Sequence, residues 1–197
     1  MLLDATVDLN HARLFPAGTL REPLSTLRRA TQVWLTHCDI APPEQIEAIR
    51  EIVAHYAPST PVVLTRHAIT GIRETGTGRE IPLEDVAGQT VIALSGLGNP
   101  AAFEDGLRTL SPGRISPARF SDHHAYSSTD WRHLGQQVMA AKASLILTTE
   151  KDDVKLLPPP SGLPPVGVVT CDLQIVDGEP HVHTLIEEAC FRSVSTG

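Results

Sequence analysis

The chain has 197 residues, of which 41% are hydrophobic and 20% are charged, so it can bury a core and is neither a disordered tail nor a disulfide mini-protein. A formal net charge of -7 argues against general nucleic-acid binding. The three cysteines are far apart and form no CxxC pair, which argues against a disulfide framework or a structural zinc site and favours a reducing compartment.

Short apolar runs along the chain predict buried β-strands. The runs are continuous rather than alternating, which is typical of parallel strands covered on both faces. Helical patterns lie between them, and one has Ser127 or Ser128 as a candidate N-cap. The predicted strands are residues 1–5, 32–37, 61–65, 90–94, 115–120, 144–148 and 166–170, and the predicted helices are residues 43–55, 100–110, 129–141 and 185–191.

The alternation of strands and helices predicts an α/β fold with a mostly parallel sheet. Two irregular stretches interrupt it. Residues 68–88 are rich in glycine, and their centre, RETGTGRE, is typical of a hairpin or a hinge turn. Residues 156–165 are rich in proline and are expected to form an extended surface loop.

The densest group of polar side chains is Ser121-Asp122-His123-His124, between a predicted strand and a predicted helix. In α/β sheets, loops at strand ends are where ligands bind. A histidine beside a carboxylate can act as a general base near neutral pH, because the carboxylate fixes its tautomer and raises its basicity. The alternative is that Asp122 caps a turn and that both histidines are ordinary surface residues.

A second polar group, TTEKDDVK at residues 148–155, also follows a predicted buried strand. Lys151 can meet a phosphate there as a compact charge. The alternative is a solvated helix start, in which the helix dipole favours Glu150 and Asp152. The chain has only three lysines, and two of them, Lys151 and Lys155, lie in this group.

Two loops carry weaker signals. SGLGNP at residues 95–100 is a glycine turn that could place an anion at a helix N-terminus. It lacks the GxGxxG spacing, so close packing of strand and helix is the simpler explanation. LFPAGTLREPL at residues 14–24 indicates, as a pattern, only a turn followed by a helix.

Taken in order, these segments resemble those of tetraacyldisaccharide 4'-kinases, the lipid A 4'-kinases of Gram-negative bacteria. The resemblance covers most of the chain, although the last forty residues match only in general character. The matching segments are LLDAT at 2–6, LFPAGTLREPLSTLRRA at 14–30, RETGTG at 73–78, SGLGNPAAF at 95–103, FSDHHAY at 120–126 and LTTEKDDVKL at 147–156.

The resemblance implies an enzyme that transfers the γ-phosphate of ATP, with Mg²⁺, to the 4'-hydroxyl of a tetraacylated glucosamine disaccharide. It also implies two α/β lobes with a cleft between them. Residues 1–67 would end a P-loop kinase-like lobe, residues 68–85 would form a hairpin linker, and residues 86–197 would form a smaller Rossmann-like lobe. The implied location is cytoplasmic, peripheral to the cytoplasmic face of the inner membrane.

Site residues follow from the same resemblance. His123 falls on the histidine of the family's DH motif and is expected to be catalytic, with Asp122 as its orienter. Arg21 and Glu22 at the PAG turn are expected to line the cleft near phosphate or metal. Lys151 and Asp152 of the TEKD motif are expected to belong to the same environment, either in contact with phosphate or in a structural role, and which residues hold the metal stays open.

The sequence departs from the family at its phosphate-binding end. It contains no GxxxxGK[ST] P-loop and no DDGFQH-like segment, and Asn10-His11-Ala12 stands where the family tends to have Gly-Asn-Gly. Phosphoryl transfer depends almost wholly on positioning and electrostatic stabilisation. We therefore expect a C-terminal portion of such a kinase that is inactive alone, with the lipid disaccharide, the inner-membrane surface and a missing N-terminal lobe as candidate partners.

Two further hypotheses stay open. One is a non-catalytic remnant, or a binding and regulatory module, derived from the kinase. The other is an unrelated cytosolic enzyme that uses Asp122 and His123 as an acid–base pair. Without the first part of the kinase lobe, strands 1–5 and 32–37 are expected to have lost sheet neighbours, which predicts self-association.

Overall fold

The computed structural model describes residues 1–18 and 20–194. Two short 3-10 helices, Leu24–Arg29 and Leu83–Val86, accompany the main elements. The strands are β1 (Leu2–Asp4), β2 (Val33–Thr36), β3 (Val62–Glu74), β4 (Thr90–Ser95), β5 (Arg114–Arg119), β6 (Leu145–Thr149) and β7 (Val166–Asp177), and the helices are α1 (Pro43–Tyr56), α2 (Pro100–Arg108), α3 (Ser128–Ala141), α4 (Glu150–Asp153) and α5 (Glu179–Val194).

The chain forms two compact units. The first contains residues 1–67 together with the chain from Leu173 onward, and the second contains residues 68–172. The chain passes between the units inside β3 and again inside β7. Helix α5 and the end of β7 thus belong with residues 1–67, whereas the lobe division inferred above groups them with residues 86–172. That lobe division stays a prediction.

In the first unit, β1, β2 and β3 are parallel neighbours in that order. Helix α1 begins at Pro43, where proline replaces a backbone donor that has no partner inside the helix, and it buries Ile49 and Val53. Both side chains join one apolar cluster with Leu27 of the first 3-10 helix. The first 3-10 helix and α1, which connect the strands of this unit, therefore pack against its sheet.

The expectation that strand 32–37 has lost its sheet neighbours is wrong, because β2 pairs with β1 on one side and with β3 on the other. Strand β1 pairs with β2 alone among the described strands. Among the described strands of the first unit, β1 therefore presents an open edge. None of the helices within residues 1–18 and 20–194 combines the length and the apolar character needed to cross a membrane.

In the second unit, the strand order is β7, β6, β4, β5, and each adjacent pair is parallel. Alternating side chains of β4 face opposite sides of the sheet. Ile92 and Leu94 pack with Trp131 of α3, and Val91 and Ala93 pack with Leu107 of α2. The two helices therefore cover opposite faces, and the predicted α/β fold with a mostly parallel sheet is confirmed.

The predicted hairpin at RETGTGRE is also present. Strand β3 runs to Glu74, and a turn with Gly76 and Gly78 at positive φ (75° and 69°) returns the chain to an antiparallel bridge between Arg73 and Glu80. Glycine adopts such φ values without the steric cost that a Cβ atom brings. The hairpin continues β3 directly, so no separate linker strand precedes it within the described residues.

Three elements are longer than the apolar pattern predicts. Strands β3 and β7 extend to Glu74 and Asp177, through stretches with exposed polar side chains that lack a continuous apolar run. A backbone hydrogen bond from Glu74 N to Arg79 O at 2.8 Å, for example, holds the exposed end of β3 without burial. Helix α5 begins at Glu179 rather than at residue 185, directly after Gly178, whose φ is +87°.

Close packing around Gly167 gives a test of this fold. A Cβ atom at Gly167 would lie 2.6 Å from Ile72 Cγ2 and 3.0 Å from Leu147 Cδ2. We expect Gly167→Ala to lower the free energy of unfolding by about 1–3 kcal/mol, as overpacked cores do. Urea denaturation of the full chain measures this value.

The matched control is Gly135→Ala in α3, where a Cβ atom would lie at an ordinary 3.5 Å from Leu163 Cδ2. Alanine favours a helix interior over glycine, so we expect no loss of stability there. A Gly167→Ala protein as stable as the Gly135→Ala protein would contradict the packing described here.

Candidate functional site

Three loops converge at the carboxyl ends of β4, β5 and β6 in the second unit. From β4 the chain moves to β5 on one side and then to β6 on the other, so the strand order reverses between β4 and β6. In open α/β sheets, ligands bind outside the carboxyl ends of the strands at such a reversal. The loops there are SGLGN, FSDHHAY and TTEKDDVK, the segments that the sequence analysis selects.

The Asp152 carboxylate lies at the centre of this edge and is fully buried. Its Oδ1 accepts a hydrogen bond from the Tyr126 hydroxyl at 3.1 Å, and its Oδ2 accepts one from the Thr149 hydroxyl at 2.7 Å. The buried ammonium of Lys155 lies 3.7 Å from Oδ1. A buried carboxylate needs such partners, because removing it from water without them is costly.

Thr149 also positions Asp152 through the backbone. Its hydroxyl accepts a hydrogen bond from the Asp152 backbone N at 3.2 Å and thereby caps α4. Burial first, and then the adjacent Asp152 charge, raise the pKa of the Tyr126 hydroxyl above its usual value. Tyr126 therefore remains a neutral hydrogen-bond donor, as its contact with the carboxylate requires.

Gly96 brings the third loop against this carboxylate. A Cβ atom at Gly96 would lie 3.1 Å from Asp152 Oδ1, 3.1 Å from the Ser121 carbonyl oxygen and 3.2 Å from the Tyr126 hydroxyl. These distances are tight for any side chain. Close packing thus accounts for this glycine of SGLGN, as the sequence analysis favours.

Above the buried carboxylate, Asp122 and Lys151 form an exposed pair. Lys151 Nζ donates to Asp122 Oδ1 at 3.0 Å, and both side chains are about half exposed. This hydrogen bond is the main reason that the pKa of Asp122 lies below its ordinary value, and the charge of His123 lowers it further. The pair connects the DHH loop to the TEKD segment at the surface.

His123 lies at the tip of the loop, with 76% of its side chain exposed. Its backbone is left-handed, with φ at +60°, and its backbone N donates to Asp122 Oδ1 at 3.0 Å. The His123 Nε2 atom lies 3.7 Å from Asp122 Oδ2, which is longer than a hydrogen bond. Asp122 therefore holds the backbone of His123 and leaves its ring open to a ligand.

His124 has a different environment. Its Nε2 lies 3.2 Å from Asp130 Oδ2, and its ring packs against Phe120 and Tyr126. Asp130 also completes a capping box with Ser127, which begins α3. His124 is thus part of the packing that fixes the loop, and Ser127 is the N-cap rather than Ser128.

Arg21 and Glu22 belong to the first unit and are exposed. Glu22 Oε2 accepts a hydrogen bond from Arg29 Nη2 at 2.8 Å. Arg21 and Glu22 both border a groove of about 370 Å³ whose other walls are mainly apolar. Its apolar lining includes Leu2, Leu3, Val7, Leu9, Leu20 and Leu24.

The TEKD motif points to Asp152 but not to its buried partners. Tyr126 gives no signal in sequence beyond its place in FSDHHAY, because its role depends on contact with a residue 26 positions away. Lys155 follows Asp152 at the i, i+3 spacing of a helical ion pair, which is a weak signal. Within the described residues, no group of three His, Cys, Asp or Glu side chains could hold a metal ion.

Comparison with known proteins identifies the family. The model of the LpxK family, tetraacyldisaccharide-1-P 4'-kinase, matches residues 1–190. The chain belongs to this family. A tetraacyldisaccharide 4'-kinase of Anaeromyxobacter sp. (strain Fw109-5) is 34% identical over 98% of this chain, and one of Anaeromyxobacter dehalogenans (strain 2CP-C) is 38% identical over 80% of it.

A solved structure agrees with this assignment. The crystal structure of an "apo" form of LpxK from Aquifex aeolicus in complex with ATP matches 95% of this chain with a TM-score of 0.60 and 27% sequence identity. The match covers 50% of that protein, and the match with the Anaeromyxobacter sp. kinase covers 51% of the relative. This LpxK-family chain thus spans about half the length of the relatives it matches.

The buried contact predicts a stability change. Tyr126→Phe removes a donor from a buried carboxylate, so we expect the free energy of unfolding to fall by about 1–3 kcal/mol in a urea titration. The control is Tyr56→Phe, because the Tyr56 hydroxyl makes no hydrogen bond in the part of the chain that the structure describes. Equal stability of the two variants would rule out the Tyr126–Asp152 contact.

The exposed pair predicts a pKa change. We expect Lys151→Met to raise the pKa of Asp122 toward its ordinary value of 3.8, as followed by a pH titration of carboxyl carbon shifts in NMR. Because the folded pKa is lowered, the pair stabilises the fold at neutral pH, and this contribution disappears as the pH falls through that pKa. Lys142→Met is the control. An unchanged Asp122 titration in Lys151→Met would show that the two side chains do not interact.

Proposed function

We propose that this chain supplies the DHH and TEKD part of a tetraacyldisaccharide 4'-kinase active site. The reaction is ATP-dependent phosphorylation of the 4'-hydroxyl of a tetraacylated glucosamine disaccharide. One observation carries the proposal: an exposed histidine, fixed by a carboxylate–ammonium pair, lies where the strand order reverses in a chain of this family.

In this proposal His123 is the catalytic side chain. Its exposed imidazole accepts a proton from, or orients, the attacking hydroxyl, together with a carboxylate from the P-loop lobe. Asp122 acts as a positioning residue through the His123 backbone N, and Lys151 fixes Asp122. Asp152, which is buried, anchors the loops beneath them rather than meeting phosphate.

The first unit contributes Arg21 and Glu22 to the proposed phosphate environment. ATP is the phosphoryl donor, and Mg²⁺ accompanies it. The P-loop that would hold both does not occur in this sequence, and the described residues offer no three-ligand metal cluster. We therefore assign the binding of Mg²⁺ and of the phosphates to the P-loop part of such a kinase, with the missing N-terminal lobe as the proposed partner of the residues described here.

The proposed lobe assignment follows the family: residues 1–67 end the kinase lobe, 68–85 form the linker and 86–197 form the second lobe. The proposed place of action is the cytoplasmic face of the inner membrane, where a substrate with four acyl chains would be found. By family resemblance, the proposed attachment there is peripheral.

A second candidate function is a non-catalytic binding or regulatory module derived from the kinase. In this hypothesis the 197 residues, which contain no P-loop motif, bind a ligand or partner without transferring phosphate. It differs from the first proposal in one outcome: a module of this kind restores no phosphoryl transfer when a P-loop lobe is supplied.

A chimera tests the two functions. The part of the Anaeromyxobacter sp. (strain Fw109-5) kinase that this chain does not match would be fused to this chain, and labelled phosphate transfer from ATP to the lipid disaccharide would be measured. We expect turnover by the chimera and none by the chain alone. Failure of the folded chimera to transfer phosphate would favour the non-catalytic module.

In the active chimera, we expect His123→Ala to lower kcat by about 10²–10⁴ with little change in KM, as the loss of a general acid–base group does. His133→Ala is the control, because His133 is exposed on α3. Unchanged kcat in His123→Ala would contradict the catalytic role of His123.

A further inference from the structure

A compact loop in the first unit exposes apolar side chains. Phe15 N donates to Leu20 O at 2.8 Å, Leu20 N donates to Arg13 O at 3.0 Å, and Gly18 N donates to Leu14 O at 3.0 Å. A Cβ atom at Gly18 would clash with the Arg13 carbonyl, so the turn requires glycine. We call residues 13–18 together with Leu20 the apolar loop.

The tip of the apolar loop is open to solvent. Phe15 is 78% exposed and Leu14 is 44% exposed, and they are neighbours in sequence. The loop leads into the groove of about 370 Å³ through Leu20, which is among the groove's lining residues. Apolar surface that continues from a loop tip into a groove is typical of an interaction site.

The charge around the apolar loop is opposite to that of the whole chain. Residues 9–31 contain four arginines and a single acidic residue, Glu22, whereas the chain has a formal net charge of -7. All four arginines are exposed. Arg13 begins the loop, Arg21 directly follows it, and Arg28 and Arg29 lie at the end of the first 3-10 helix. In sequence this segment therefore has an excess of positive charge beside the apolar loop, while Asp4 and Asp8 precede it and Asp4 also borders the groove.

Exposed apolar side chains beside arginines favour an anionic lipid surface as the partner. A second copy would bring the same arginines against each other in a symmetric dimer, and like charges oppose such contact. Anionic lipid headgroups instead offer phosphate oxygens to arginine, and the acyl boundary beneath them accepts phenylalanine and leucine. Arginine near an anionic leaflet is attracted to it, and the attraction weakens with added salt.

We propose that the apolar loop inserts Leu14 and Phe15 into the surface of an anionic lipid bilayer while Arg13 and Arg28 contact the lipid phosphates. This inference rests on the membrane location in the proposed function and deepens it by naming the contact surface. Arg29 has a smaller part in it, because it already donates to Glu22.

Vesicle flotation of the full chain tests this inference. The probes are vesicles of phosphatidylcholine with one quarter phosphatidylglycerol and vesicles of phosphatidylcholine alone. We expect binding to the anionic vesicles only. Phe15→Ser should weaken it about tenfold, since a phenylalanine loses its apolar contact, and Arg28→Gln about fivefold, since one charge is removed.

Each substitution in the apolar loop has a matched control substitution in the second unit. Met139→Ser removes an apolar side chain that is 80% exposed, and Arg132→Gln removes an exposed charge, both on α3. We expect both controls to bind like the wild-type chain. Thermal denaturation of each variant, together with light scattering, reports whether its fold and oligomeric state are unchanged.

Several outcomes would overturn the inference. If the wild-type chain floats but Phe15→Ser and Leu14→Ser float equally well, the membrane location stands and the apolar loop is not the contact. Equal flotation with neutral vesicles would exclude recognition of lipid phosphate. If the wild-type chain does not float, the inference fails, whereas the proposed phosphoryl transfer is decided separately by the chimera. If the wild-type chain is a dimer and Phe15→Ser is a monomer by light scattering, the apolar loop contacts a second copy of the chain instead of a membrane.

Discussion

The candidate site depends on one buried carboxylate, that of Asp152. A carboxylate removed from water at the end of a β-sheet is stable only if donors surround it. Tyr126, Thr149 and Lys155 surround this one, and Gly96 leaves the space that their approach needs. These contacts bring loops from three strands together, so the place where the strand order reverses becomes one rigid edge.

The exposed chemistry lies above this scaffold and is separate from it. Asp122 and Lys151 pair at the surface, and His123 projects from a left-handed backbone that the Asp122 carboxylate fixes. The backbone of His123 is thus fixed before a ligand arrives, and only its imidazole has to be oriented on binding. The two aspartates therefore differ in burial and in role. Asp152 is part of the core and holds the loops together, whereas Asp122 faces solvent and fixes the backbone of His123.

Much of this arrangement follows from the sequence, because apolar runs and caps act locally. The central strands, helix α3 and the hairpin at residues 73–80 lie where the pattern predicts them. The apolar pattern does not predict the long exposed ends of β3 and β7, because backbone pairing rather than burial holds them in place. The link from Tyr126 to Asp152 is equally invisible in the sequence, since it joins residues on separate loops.

The most direct test of this account compares Tyr126→Phe in two backgrounds of the active chimera. If the buried anchor serves phosphoryl transfer by positioning His123, then Tyr126→Phe lowers kcat at least about fivefold when His123 is present, because a small misplacement of a reacting group is costly. In the His123→Ala background the same change should leave kcat unaltered. An equal loss of kcat in both backgrounds would contradict the account.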